Sequence, residues 1–238
     1  ALVFAGIRSR DKPRVQSYVR AGCILLYLFF IGLRGFIGTD WFNYYLIFEA
    51  VPAMGQGGLV DFLRETPLEP GFLVLVSAVK TVLPDYHLLV FVSAVLDIVV
   101  IDLFLRRYVK DYALGFLVFV VMGGLVLPDL MRNVRSILLF LLSLKPLQER
   151  RWVSYFALNG LGMLFHATSL VYLPLYGLLH RCWPRVSLVS VFVVTNLVCW
   201  SRIEFIRPLV EWGSERLGGR FSILQSQYLL DELFDRRY

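Results

Sequence analysis

Three side chains in this sequence carry groups suited to general acid–base chemistry, and each stands beside an apolar run. They are the carboxylates of Asp40 and Glu69 and the imidazole of His166. A carboxylate or a neutral imidazole can take the proton of an attacking hydroxyl. Simpler roles are open as well. Asp40 and Glu69 stand where they could cap the helices that follow, and a lone intramembrane histidine often hydrogen-bonds a neighbouring helix.

Three arginines could bind an anion at similar boundaries. Arg34 ends an apolar run, whereas Arg132 and Arg135 are three residues apart and therefore share one helical face. A guanidinium binds phosphate oxygens through paired N–H donors, and the amino end of a helix adds a favourable dipole. This pattern favours phosphate or pyrophosphate at Arg132 and Arg135. The alternative is that all three arginines anchor helices at the lipid headgroups.

An aromatic segment follows Asp40 directly. Trp41, Tyr44, Tyr45 and Phe48 recur at i, i+3, i+4 and i+7, which gives a helix one aromatic face. Such a face is typical of an interfacial belt at a membrane. Aromatic faces also stack on sugars, so a carbohydrate contact is the second interpretation.

The amino-acid composition indicates whether water or lipid surrounds these residues. Hydrophobic residues make up 58% of the 238 residues and charged residues 18%, and the mean hydropathy is +0.66. A soluble domain of this length has too small an interior for that much apolar surface. The basic residues cluster between apolar runs, as in cytoplasmic loops, which argues against nucleic acid as a partner. We therefore expect an integral membrane protein.

Apolar runs predict an all-α, polytopic transmembrane helical bundle of about six to eight membrane segments. One or two of these are expected to be re-entrant or broken, namely the short run 70–83 and the run 152–179 with a polar break at 165–169. We expect a membrane domain over 1–200. Residues 201–238 are expected to form a polar tail, either an outer-side loop or a truncated continuation. The remaining runs are 1–7, 20–37, 86–105, 112–127, 130–144 and 186–200.

Basic clusters predict the sidedness of the bundle. The positive-inside rule assigns them to the cytoplasm, and counting crossings then places Asp40, Glu69 and Arg132 outside, with His166 at outer or mid-membrane depth. The clusters are Arg8 to Arg20, Arg106 to Lys110, Lys145 to Arg151, and Arg181 with Arg185.

Two aspartates lie inside the run 86–105. Asp102 can pair with Arg106 at i+4, which we interpret as structural. Asp97 has no partner nearby in the sequence, so it is protonated, bridged to another helix, or functional. No metal-ligand spacing and no glycine-rich nucleotide loop occurs in the sequence, so we expect no cofactor.

Four short motifs in order resemble the EpsG family of Wzy-like polysaccharide polymerases. The first two are Leu33-Arg34 leading to Gly38-Thr39-Asp40 and Tyr44-Tyr45, then Glu69-Pro70-Gly71-Phe72. The others are Met131-Arg132-Asn133-Val134-Arg135-Ser136 and Leu164-Phe165-His166-Ala167-Thr168-Ser169-Leu170. Asn133 departs from the pattern, since glutamine is expected there. The chain also looks shorter than a whole member, which indicates a fragment.

The resemblance implies a multi-pass enzyme of the bacterial inner membrane. It would join undecaprenyl-pyrophosphate-linked oligosaccharides into an exopolysaccharide or O-antigen-like polymer, in contact with the lipid bilayer and with other polysaccharide assembly proteins. Asp40, His166 and Glu69 are then the catalytic candidates. The candidates for binding pyrophosphate and sugar are Arg34, Arg132, Arg135, Tyr44 and Asn133.

The alternative is a non-enzymatic protein, either a translocator of lipid-linked sugars or an assembly subunit of an export machine. A translocator needs polar residues that continue to the cytoplasmic side. Apart from Asp97 and Asp102, the polar groups of this chain gather on the predicted outer side. The sequence therefore favours the enzyme.

Overall fold

The computed structural model describes residues 12–124 and 130–200 of the chain. Within these ranges the regular structure is helical and contains no strand, which confirms the all-α class. Short π-helical turns extend α1 over Leu28–Gly32 and α6 over Val120–Gly124, and a 3-10 helix spans Ala167–Tyr172. The helices are α1 (Pro13–Tyr27), α2 (Trp41–Ala50), α3 (Leu59–Glu65), α4 (Pro70–Val82), α5 (Tyr86–Tyr108), α6 (Tyr112–Phe119), α7 (Met131–Gln148), α8 (Trp152–Met163), α9 (Leu175–Leu179) and α10 (Arg185–Trp200).

The chain divides into two compact units, Ala1–Leu178 and Leu179–Tyr238. The second unit contributes the apolar helix α10 to the described residues. All of the candidate residues named above lie in the first unit. The predicted run 1–7 and the predicted tail 201–238 lie outside the described residues.

Two described helices are long and apolar enough to cross a membrane. They are Pro13–Gly32, which is α1 with its π-helical extension, and α5. A polytopic bundle is consistent with these helices, and the expected count of about six to eight segments remains a prediction. Shorter apolar helices accompany them at Pro70–Val82, Tyr112–Gly123, Ala167–Leu179 and Arg185–Leu197.

The predicted run 20–37 has wrong boundaries at both ends. The helix begins at Pro13, because proline suits a first turn in which its missing N–H has no intrahelical partner. It ends at Gly32 after the π-helical turn. Hydropathy misses the start because the first turns are polar and exposed. As a consequence Arg34 lies in the loop beyond the helix, and Arg20 lies inside it.

Other predicted segments agree closely with the structure. The short run at 70–83 is α4, a helix of 13 residues, and at about 1.5 Å per residue it cannot span a bilayer core. The long run at 86–105 is α5. The predicted polar break at 165–169 is confirmed, because α8 ends at Met163 and the chain resumes as the 3-10 helix at Ala167.

Two clusters of buried side chains hold the first unit together. One joins α1, α5, α6 and α7, and the other joins α2, α4, the first half of α5 and the start of α7. Lys80 links α4 to α2 in the second cluster, because its ammonium group donates to three carbonyls at the end of α2. Its Nζ lies 2.8 Å from the oxygens of Phe48 and Glu49 and 3.0 Å from that of Val51.

Helices α1 and α5 run antiparallel. Midway along α1, Arg20 donates two hydrogen bonds to Asp102 in the second half of α5, with Nε–Oδ1 2.6 Å and Nη2–Oδ2 2.7 Å. In the π-helical extension of α1, a Cβ on Gly32 would lie 3.2 Å from the ring of Phe91. The expected pairing of Asp102 with Arg106 is also present, at 3.9 Å. Arg20, however, is the closer partner of Asp102.

Three of the basic segments share one end of the first unit. The Arg20–Asp102 pair joins the middle of the antiparallel helix α1 to the second half of α5, so the first turns of α1 lie towards the end of α5. The hydroxyl of Tyr108 bonds Gln148 Oε1 at 3.5 Å, which joins the ends of α5 and α7. The region of α2 and α4 packs on the first half of α5, away from these charges. The location of this basic end in the cytoplasm stays a prediction.

Replacing Asp102 by Asn should destabilise the protein, because Arg20 loses the negative charge and one of its two acceptor oxygens. The oxygen that remains must then serve both Arg20 and the hydroxyl of Tyr112, which donates to Oδ1 at 3.0 Å. We expect a loss of about 2 kcal/mol, reduced from the range for fully buried pairs because Arg20 is partly exposed. Thermal unfolding in detergent measures the loss. Asp61→Asn is the control, since it breaks an exposed pair with Arg64 and should cost less than about 0.5 kcal/mol. Equal losses in the two variants would contradict the account.

Candidate active site

The amino end of α4 rests directly on the break between α8 and the 3-10 helix. The backbone N–H of Gly71 donates to the carbonyl oxygen of Leu164 at 2.7 Å. Glycine suits this contact, because a Cβ at position 71 would lie 2.7 Å from that oxygen and 2.9 Å from the Cβ of Leu164. Two motifs far apart in the sequence therefore meet through their backbones, and Glu69 and His166 are carried to the same place.

Glu69 forms an ion pair with Arg132 at the start of α7. The distance between Arg132 Nη1 and Glu69 Oε2 is 2.7 Å, and the two side chains are 27% and 19% exposed. Glu69 makes no side-chain capping bond to α4, so the capping alternative is not realised. Each charge is compensated by the other in a setting where an isolated charge would be costly.

Tyr44 of α2 lies beside the ion pair of Glu69 with Arg132. The side chain is buried, and it is hydrogen-bonded with Arg132. Burial raises the pKa of the Tyr44 phenol, and Arg132 opposes this shift only in part, so the phenol is neutral. Asp40 acts electrostatically on the same phenol, and its carboxylate makes no capping bond to α2. Asp40, Tyr44, Arg132 and Glu69 are therefore in one neighbourhood.

His166 lies in the turn before the 3-10 helix, outside the two membrane-length helices. Its Nδ1 accepts a hydrogen bond from the backbone N–H of Thr168 at 3.2 Å, so the neutral ring carries its proton on Nε2. Burial lowers the pKa of His166, and the charges of Glu69 and Arg132 shift it by smaller amounts in opposite directions. The ring is therefore neutral at pH 7 and lies within electrostatic range of the ion pair.

A network of hydroxyl groups fixes the turn of His166 against α7. The hydroxyl of Thr168 donates to Asn133 Oδ1 at 2.7 Å and lies 3.2 Å from the hydroxyl of Ser136. Ser136 also bonds the hydroxyl of Ser169 at 2.7 Å. These hydroxyls were not among the site residues predicted from the sequence. The available signal was the i+3 spacing of Asn133 and Ser136, which places both on one face of α7.

Arg135 lies deeper than Arg132, in the interior between α7 and α5. It is 5% exposed, its Nη1 donates to the Met131 carbonyl, and its Nη2 lies 3.8 Å from Asp97 Oδ1. Asp97 is thus bridged to another helix, which was one of the three open alternatives. Arg34 is half-buried and within electrostatic range of Asp97 and Tyr27. Arg34 and Arg135 therefore flank Asp97 rather than Glu69.

Unpartnered donors outnumber unpartnered acceptors around these arginines. Within the described ranges, Arg132 Nε and two nitrogens of Arg135 are buried without a hydrogen-bond partner, as is the hydroxyl of Tyr27. The matching unpartnered acceptor in this neighbourhood is Asp97 Oδ1. Buried polar groups are normally satisfied, so an excess of donors favours an acceptor-rich anionic ligand. In the same ranges no group of three or more metal-ligating side chains is assembled.

The first unit thus combines apolar helices of membrane length with a half-buried site of arginines, carboxylates and a neutral histidine, as expected of a membrane protein that handles an anionic substrate. The EpsG family model matches residues 18–218, and the chain belongs to the EpsG family. This is a family of membrane polymerases of polysaccharide biosynthesis. No curated protein and no solved structure matches the chain.

Replacing Gly71 by Ala should separate α4 from Leu164, because the added Cβ cannot share space with the carbonyl that Gly71 contacts. Glu69 would then lose its alignment with Arg132, and we expect polymer formation in cells to fall at least tenfold while the protein is still expressed. Polysaccharide gels measure the effect. Gly160→Ala in α8 is the matched control, since a Cβ there meets nothing within 4 Å. Normal polymer from the Gly71 variant would show that this contact does not align the site.

Proposed function

We propose that this protein is an inner-membrane polymerase of bacteria that joins oligosaccharide units carried on undecaprenyl pyrophosphate. A hydroxyl of one unit attacks the anomeric carbon of the other, and a new glycosidic C–O bond forms. The bond between that carbon and the pyrophosphate oxygen breaks, and the lipid pyrophosphate leaves with the bonding electron pair. The hydroxyl proton passes to a base on the protein. The product is an exopolysaccharide or O-antigen-like polymer.

The excess of buried donors around Arg132 and Arg135 is the observation that carries this proposal. A pyrophosphate presents many acceptor oxygens, and guanidinium groups match them in geometry and charge. Stabilising charge that develops on the leaving group is commonly the largest catalytic contribution. Arg132 takes this role, with Arg34 and Arg135 as candidates for the second phosphate.

In the resting state, the carboxylate of Glu69 occupies the position on Arg132 that the pyrophosphate takes when substrate binds. When the pyrophosphate arrives, its oxygens replace the carboxylate on Arg132, so the guanidinium charge stays compensated. Glu69 is thereby released from Arg132 at the moment when the acceptor hydroxyl must lose a proton. The carboxylate is thus free to serve as the base only when substrate is bound.

His166 serves as a hydrogen-bond donor to the phosphate or glycan oxygens. Its Nδ1 is engaged by the backbone of Thr168, so Nε2–H is the group that it can offer to a substrate. The base is then one of the two carboxylates, Glu69 or Asp40. Tyr44 and Asn133 hold the site in shape, because Tyr44 bonds Arg132 and Asn133 accepts from Thr168.

The translocator alternative receives less support from the same contacts. It requires a polar path towards the basic end of the bundle, and the two aspartates in α5 are the groups along that path. Asp97 is paired with Arg135, and Asp102 is bound to Arg20 by two hydrogen bonds. These pairs tie helices together rather than line an open route.

Replacing Arg132 by Ala should abolish long polymer, because the leaving pyrophosphate loses its principal cation. We expect at least a hundredfold loss, in the range seen when a charge-stabilising donor is removed. Polymer length on gels and analysis of lipid-linked intermediates measure it, and single repeat units should accumulate on lipid in the outer leaflet. Arg64→Ala is the control, since Arg64 is an exposed residue of α3 paired only loosely with Asp61.

Two results of this experiment would contradict the proposal. Long polymer from a well-expressed Arg132 variant would remove Arg132 from the reaction. Accumulation of single units on the inner leaflet would point to translocation instead.

A further inference from the structure

The aromatic face predicted for α2 is divided between two environments. Tyr44 and Phe48 are buried in the core, with 6% and 1% exposure. Trp41 and Tyr45 are half-buried and turn towards the loop that follows α1. The buried pair packs against α4 and α5. Trp41 and Tyr45 are not buried in that core, so core packing does not by itself explain why aromatic residues stand there.

Phe36 organises these remaining rings into one surface. Its ring centroid lies 4.8 Å from that of Trp41, 5.9 Å from that of Tyr45 and 6.0 Å from that of Tyr86. Despite these contacts, Phe36 is 50% exposed. Several rings hold it in place while about half of its surface faces outwards. We call the surface formed by Phe36, Trp41 and Tyr45 the aromatic platform.

Asp40 directly precedes Trp41, is half-buried and does not cap α2. A pyranose ring offers apolar C–H faces together with hydroxyls at its edge, so it needs aromatic surface and hydrogen-bonding groups side by side. A purely lipid-facing anchor needs only the rings.

The aromatic platform adjoins the candidate active site. Tyr44 lies in the same helical turn as Trp41 and Tyr45, and it contacts Arg132, the partner of Glu69. A glycan lying on the platform would therefore have its reacting end beside Asp40 and the ion pair. The platform packs against Tyr86 at the first turn of α5, away from the basic end of the bundle.

We propose that the aromatic platform is a carbohydrate-binding subsite that holds sugar units of the glycan next to the reaction centre. The inference rests on the proposed function and adds to it a site for the glycan portion of the substrate. Stacking on Trp41 and Phe36 provides the affinity, and Asp40 bonds the sugar hydroxyls. By holding the growing chain between additions, the platform sets the length of the polymer.

Trp41→Leu and Trp41→Phe separate sugar stacking from membrane anchoring, because leucine keeps the apolar bulk but has no π face. The binding probe is the host's own exopolysaccharide, cast into a native gel through which the solubilised full chain migrates. We expect Trp41→Leu to weaken retention about three- to tenfold, as the loss of one stacking contact predicts, and Trp41→Phe to retain most of it. In cells, Trp41→Leu should shorten the polymer several-fold. Trp152→Leu is the control, since Trp152 is 61% exposed at the start of α8, after the basic segment that ends α7.

The outcomes separate this inference from the proposed function. If Trp41→Leu and Trp41→Phe behave alike in retention and in polymer length, the platform is an anchor and the inference is wrong. If the Trp41 variants are normal while Arg132→Ala still abolishes polymer, the subsite fails and the polymerase proposal stands. If Arg132→Ala makes normal polymer, the polymerase proposal itself fails.

Discussion

A charge in a membrane protein must be compensated where it lies, and the ion pair of Glu69 with Arg132 meets this requirement at the centre of the site. Its two side chains come from α4 and α7, with 2.7 Å between Nη1 and Oε2. Removing either partner would leave the other charge partly buried and uncompensated, which is costly. A competing anion can compensate Arg132 equally well. In the proposed function, the constraint that stabilises the resting site therefore also prepares Arg132 for a phosphate-bearing substrate.

Backbone contacts keep the pair aligned. Gly71 brings α4 against the carbonyl of Leu164, and the hydroxyls of Thr168 and Ser136 fasten the turn of His166 to α7. None of these groups carries a charge, so they fix geometry without competing for the anion. The wider frame is set by the antiparallel packing of α1 and α5, which collects basic segments at one end and leaves the site away from them. The geometry of the candidate site and the clustering of basic segments thus have separate structural causes.

The sequence indicated much of this arrangement where a local pattern carried the information. Proline and glycine after Glu69 marked the start of α4, and the polar residues around His166 marked a real break. It failed where the information lies in how helices are rotated against each other. The contact of Arg135 with Asp97 depends on such a rotation. The sequence singled out both residues, but it could not show that they face each other. The start at Pro13 was missed because hydropathy does not register polar helical turns.

Binding of undecaprenyl pyrophosphate to the purified full chain tests most directly whether Glu69 occupies the position of the pyrophosphate on Arg132. Glu69→Gln removes the competing carboxylate and its repulsion of the anion, so the account predicts binding about five- to tenfold tighter than in the unmodified protein. Arg132→Ala should bind at least tenfold more weakly, with thermal unfolding used to check that both variants are folded. Unchanged or weaker binding by a folded Glu69→Gln variant would contradict the account, because Glu69 would then not compete with the substrate for Arg132.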